Sequence, residues 1–265
     1  MGVNRLPVNA AAAAFGGSPG ALIVAASTNF EHWERAVALA AQGHYARARA
    51  EIGRIRAIDD STRSLVCSAQ ASWLRQLGWH RLAAGRDGAA VRHALAAPPS
   101  DLQVEALCDA LTGLAADAIG QWRLAVTESL LHRVRDALDG RSEDRFWRAL
   151  VRLSWVTAEL SLASGNGRAA LAHAESALER SREAGAVRHE IKSRLLVAAS
   201  TSAVGEISRG AELAAEVAGQ CAEAGLVPLE WAASMLLGGI TSSPDAVARA
   251  HACAAEIERR GGVFR

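Results

Sequence analysis

Four side chains in the middle of the chain stand at a spacing suited to holding an anion. Arg148, Arg152, Trp155 and Glu159 follow one another at intervals of four, three and four residues, which in a helix places them on one face. One repeat later, Arg188 and Lys192 restate the cationic part of the pattern, followed by Leu195 and Ala199. If two such helices lie side by side, the four cations form one basic patch with Trp155 beside it. Guanidinium groups pair bidentately with carboxylates, and an indole face adds an apolar or stacking contact. The chemistry expected of Arg148, Arg152, Trp155, Arg188 and Lys192 is therefore capture of an acidic peptide. Arginines at helical spacing are equally what a solvated helix face contains, and Glu143, Asp144, Glu159 and Glu190 stand near enough to neutralise them.

Patterns for other chemistry are incomplete or missing. Gly165-Asn166-Gly167-Arg168-Ala169-Ala170 reads in isolation as a dinucleotide fingerprint. That fingerprint needs a strand before it, to aim a phosphate at the following helix, whereas Trp155 to Ser164 reads as a helix end. Walker, serine-elbow and HExxH patterns are absent; His189-Glu190 lacks a second His in register. His80 is expected to pack. Cys67, Cys108, Cys221 and Cys253 form no CxxC and fall in apolar helical patterns, as reduced buried thiols do. No catalytic set, metal site or cofactor is expected.

The elements that would position the patch are marked by a recurring joint, Gly-x-x-x-x-(Ala/Gly). Its glycines are Gly43, Gly78, Gly120, Gly165 and Gly205, spaced 35, 42, 45 and 40 residues apart. Seven residues before each stands a small residue: Ala36, Ala71, Gly113, Ala158 and Ala198. Two residues after come Tyr45, His80, Trp122, Gly167 and Ile207. A glycine there ends one helix in the left-handed conformation. The small residues let two helices approach closely, and the large one is expected to plug the gap between repeats. A period of this size means stacked helix pairs that share a core.

The joint resembles that of the tetratricopeptide repeat, most closely at Gly43-x-Tyr45-x-x-Ala48, and the resemblance covers roughly residues 29 to 226. It implies an all-α fold, a right-handed α-solenoid of about six antiparallel helix pairs, whose first helices line a concave groove. Some members of that family hold a peptide's terminal carboxylate there. The chain departs from the pattern early in the first helices. The family's Trp slot holds His32, Cys67, Asp109, Ser154 and Arg194, and its Leu slot Arg35, Gln70, Thr112, Thr157 and Val197. The spacings also exceed the family's period of about 34 after the first, so the array is degenerate.

Taken in order, residues 1–28 are expected as a flexible tail, broken by Pro7, Gly16, Gly17, Pro19 and Gly20. With Arg5 and Ala25-Ala26-Ser27 they also make a weak signal peptide. Residues 29–265 form the repeat domain. Ala97-Pro98-Pro99-Ser100-Asp101 is its clearest break, with Ser100 or Asp101 able to cap the next helix. Helices within 229–260 are expected to cap the array and face water, the last starting at Ser243-Pro244.

A net charge of +1 gives no bulk attraction to nucleic acid, and no apolar run is long enough to span a membrane. A single lysine among many arginines, with abundant alanine, fits a GC-rich bacterial genome, and the reduced thiols fit a cytoplasmic protein. The function expected is a non-catalytic scaffold or adaptor binding a protein or peptide in its groove. The alternative is a regulatory sensor, the TPR-like arm of a bacterial transcription regulator system, taking a small ligand or peptide. An all-α enzyme is the third reading.

Overall fold

The computed structural model describes residues 7–56 and 59–265. Among these there are thirteen helices and no strand. After a short α1 (Ala10–Ala14), the rest form six pairs. They are α2 (Asn29–Ala41) with α3 (Tyr45–Ile52), α4 (Asp60–Gln76) with α5 (His80–Ala96), and α6 (Asp101–Ile119) with α7 (Leu124–Leu138). Then come α8 (Trp147–Ala163) with α9 (Gly167–Glu183), α10 (Val187–Ala203) with α11 (Ile207–Ala224), and α12 (Val227–Thr241) with α13 (Pro244–Arg259).

Local chemistry starts the helices. The Thr28 hydroxyl accepts from the Glu31 amide at 3.2 Å while Glu31 accepts from the Thr28 amide at 3.0 Å, a reciprocal cap on α2. The Ser27 hydroxyl adds a bond of 2.6 Å, and it leads the causes that hold the Glu31 carboxyl down at about 2. Asp59 caps α4 by accepting from the Thr62 amide at 2.9 Å. Ser100 and Ser243 cap α6 and α13 as expected.

The joints are close-packed, with one correction of register. Ala36, Ala71, Ala158 and Ala198 are fully buried, facing Ala48, Ala83, Ala170 and Gly210. In the third pair the left-handed residue is Trp122, at φ 58°, while Gly120 is right-handed. The joint therefore lies two residues later than its glycine indicates. Ala125 is exposed, and Thr127 takes the small-residue slot, its hydroxyl donating to the Ala115 carbonyl at 3.2 Å. Trp122 plugs nothing, being 76% exposed. The turn between α12 and α13 also sets a residue other than glycine in the left-handed conformation, Ser242 at φ 54°.

The first helix of each pair faces inward. Each of α2, α4, α6, α8, α10 and α12 touches the next, and α12 touches α2, so the six-pair array closes on itself. The seam is specific. The Ala46 amide donates to the Arg260 carbonyl at 2.9 Å, Arg260 Nη1 to the Gln42 carbonyl at 2.6 Å, and Trp79 Nε1 to the Val263 carbonyl at 2.7 Å. Ile257 is buried in the core of the first two pairs with Trp33, Tyr45 and Leu65. The last pair, expected to cap the stack against water, thus packs on the first. Across the Pro98-Pro99 turn α4 still packs on α6, and Gln103 Nε2 donates to the Ala94 carbonyl at 2.9 Å.

Where a loose tail is expected, residues 7–28 are packed as a strap over the ring. Ala13 and Ala14 are fully buried against Ala38 of α2, because five successive small side chains let α1 lie flat on its neighbour. Residues 1–6, including Arg5, lie outside the described residues, as do 57 and 58. Helix α3 ends at Ile52 before Gly53.

Candidate functional site

The inward faces of the ring line a half-open chamber of about 520 Å³. Its wall is apolar at Val156, Leu195, Leu196, Leu229, Trp231 and Ile257. Its polar side carries Arg75, His80, Arg152, Glu159, Arg188 and Lys192. Trp155 joins the two halves. The expected patch, Arg148 excepted, is thus brought together on the wall of this half-open chamber.

The five residues differ in what they are free to do. Arg148 is consumed by the fold. Its Nη1 donates to Asp109 Oδ2 at 2.8 Å and its Nη2 to Glu105 Oε1 at 2.9 Å, with the Phe15 ring 5.1 Å from its guanidinium carbon. Burial alone would lower its pKa, but Asp109 and Glu105 outweigh burial and raise it. It does not line the chamber. Arg152 Nε lies 3.1 Å from Asp109 Oδ1 without being aligned to donate to it. Burial, opposed by Asp109, draws Arg152 below the usual arginine range.

Lys192, its side chain 33% exposed, sits 3.6 Å from Glu159 and 4.4 Å from the Trp155 ring centre, a cation–π contact. Burial lowers its pKa against the pull of Glu159. Trp155 is itself fixed: Nε1 donates to Ser193 Oγ at 2.8 Å, and the indole stacks on His189 at 5.3 Å. His189 is fully buried, and burial followed by the Arg188 charge keeps it neutral, well below the usual histidine value.

Arg188 is the exception among the cations. Its Nε donates to the Ala14 carbonyl at 3.4 Å, and among the described residues it has no carboxylate partner. Burial, then the charges of Arg152 and Arg148, pull its pKa down to about 10. Arg188 is half-buried, so part of its hydration is lost without a carboxylate to replace it.

Across the chamber Arg75 bridges Asp117, at 2.9 Å, and Asp87. Gly113 makes room for this cluster, since a Cβ there would meet Asp87 Oδ2 at 2.1 Å. His80, expected only to pack, lines the chamber and contacts Asp117 at 3.2 Å. The sequence reading missed Arg75, Leu229, Trp231 and the carboxylates Glu105 and Asp109. Asp109 did leave a sign, a charge in a slot where the resembled family carries tryptophan.

Among the described residues no cluster suited to a metal ion is present, and no helix is long and apolar enough to cross a membrane. The four cysteines are unpaired thiols; burial pushes Cys108 and Cys221 up to about 12. No protein-family model matches the chain, and a search of curated proteins finds no match either.

Proposed function

We propose that the chain is a non-catalytic binding module of the sensor type, a TPR-like ring whose chamber takes a compact anion with an apolar body. The observation that carries this reading is Arg188, a half-buried guanidinium without a carboxylate among the described residues, set in the wall of the 520 Å³ chamber. A ligand carboxylate is the counter-ion it lacks. Arg152 and Lys192 flank it, and Trp155, Leu195, Leu229 and Trp231 offer the apolar surface. Small-molecule sites commonly combine such a wall with a few convergent polar groups.

The adaptor reading, with an acidic peptide laid along an open groove, has less support. Arg148 is already neutralised, and the last pair packs on the first, which leaves no long open groove. An enzyme reading finds among the described residues no nucleophile paired with a base in the chamber; its ionisable groups are ion pairs and cations.

The test is a thermal-shift screen of small aryl and branched alkyl carboxylic acids, wild type beside Arg188→Gln. An acid present at a hundred times its Kd stabilises by about 2.7 kcal/mol, which raises the Tm of a chain this size by about 5–10 °C. Arg188→Gln is expected to leave the ligand-free Tm unchanged or higher, because it removes a desolvated charge, and to abolish the shift. A variant that melts lower and still shows the full shift would sink the assignment of Arg188.

A further inference from the structure

Beside the chamber lies a smaller and more enclosed recess of about 50 Å³. Ser72, Arg152 and Arg188 line both spaces, while Phe15, Trp33 and His189 line the recess only.

The charges around the recess do not balance. Asp101, Glu105 and Asp109 stand four residues apart on α6, and each faces one arginine from the start of the fourth pair. Arg145 Nε lies 3.5 Å from Asp101, Arg148 Nη2 2.9 Å from Glu105 and Arg152 Nε 3.1 Å from Asp109. Lys192 has Glu159 at 3.6 Å. Arg188 is left over. Its Nε donates to the Ala14 carbonyl, and its two Nη groups make no hydrogen bond among the described residues.

Unpaired polar atoms gather in the same wall. Arg152 Nε is buried and not aligned to donate to Asp109. His189, 1% exposed, leaves Nδ1 without a partner. Buried polar groups rarely go unpaired in folded proteins. An excess of one positive charge, with unused donors around one small space, points to an anion.

Size and charge narrow which anion. A water molecule takes about 30 Å³ of the liquid, so the recess has room for one ion and little else. A single charge needs neutralising, and a dianion would leave a buried negative charge in excess. Guanidinium groups are themselves weakly hydrated, and the aromatic part of the wall offers no replacement for a tightly held hydration shell. Such surroundings favour a weakly hydrated monatomic anion over phosphate or sulfate.

We propose that the recess is a halide site, holding one chloride on Arg188 and Arg152. Because Arg188 also faces the chamber, chloride and the acid of the chamber compete for one guanidinium, and chloride lowers the acid's apparent affinity. This competition rests on the binding reading above; the ion site does not.

The experiment is a ³⁵Cl line-width titration of the full chain, prepared free of chloride. Wild type is expected to give excess broadening that saturates with chloride, is removed by bromide and persists in sulfate at equal ionic strength. Arg188→Gln should weaken chloride by about tenfold, the loss of one hydrogen bond to a charged group. Arg152→Gln, whose Asp109 keeps Arg148, should act in the same direction and covers misfolding of the first variant. Lys192→Gln, which faces the chamber but not the recess, should leave the titration unchanged. Absence of excess broadening in the wild type would overturn the site. So would equal losses in Lys192→Gln and Arg188→Gln, which would mark diffuse attraction to a basic wall. For an acid that binds the chamber, the apparent Kd should rise with chloride and not with sulfate at equal ionic strength; equal effects of the two salts would overturn the competition. Saturable broadening beside an empty acid screen would reject the chamber ligand and keep the halide site.

Discussion

Asp87 is a carboxylic acid held away from water. It is fully buried on α5; one oxygen is bound by Arg75 and Oδ1 has no partner. Burial outweighs the attraction of Arg75, and Asp117 adds repulsion, so the carboxyl rises to about 7 from an ordinary 3.8. The folded chain then holds this proton more tightly than the unfolded one. The stability it contributes is fully present below about pH 4, falls as pH rises to about 7, and is level above that. Urea midpoints measured from pH 4 to 8 should fall for the wild type relative to Asp87→Asn, whose Arg75 retains Asp117. Parallel pH profiles would show that Asp87 titrates as an ordinary surface acid. At this scale the sequence was informative about neighbours along one helix and silent about partners across helices. Arg148, Arg152 and Trp155 could be placed on one face from spacing. That Arg148 is neutralised by Glu105 and Asp109 depends on α6 lying beside α8, one repeat away, which no local pattern encodes. Arg188 and Arg148 look alike as letters; their free and bound states follow from that packing alone.

The helix pair was the most legible element, because its joints require particular small residues. Counting from the glycine nevertheless misplaced the third joint by two residues. The chain sets Trp122, not Gly120, in the left-handed position, where a side chain costs about 1–2 kcal/mol. Trp122 is largely exposed, so its replacement forfeits little packing. Trp122→Gly is therefore expected to stabilise the chain by about 1 kcal/mol, read as a higher urea midpoint with an unchanged slope. A loss of stability would mean that the indole holds a contact beyond its turn. The strap was misread at this scale too. Its prolines and glycines rule out a long helix, but five alanines are enough for a short one that needs almost no space on α2.

Closure belongs to the whole molecule and was not legible at all. It depends on the curvature accumulated over six pairs and on a seam between residues far apart in sequence. An open solenoid frays at its ends, since each repeat is held only by its neighbours; a ring has no free end. Unfolding followed by a fluorophore in the first pair and another in the fourth should therefore coincide in the wild type. Phe264 and Trp231, with rings 5.1 Å apart, both pack against the core of the first two pairs and so help to hold the seam. Phe264→Ala should separate the two transitions, the first pair melting earlier. Coincident transitions in both proteins would show that cooperativity does not pass through the seam.

The seam also bears on how the chain reaches its fold. The bond from Arg260 to Gln42 spans 218 residues, and ordering contacts of such separation is slow. The first two pairs form early from neighbours in sequence, yet their core is completed by Ile257. Until the sixth pair arrives, that apolar face stands open, and such transient exposure is what draws chains into aggregates. Refolding yield should consequently fall with protein concentration far more steeply than equilibrium stability would indicate, with the first pair as the surface through which copies associate.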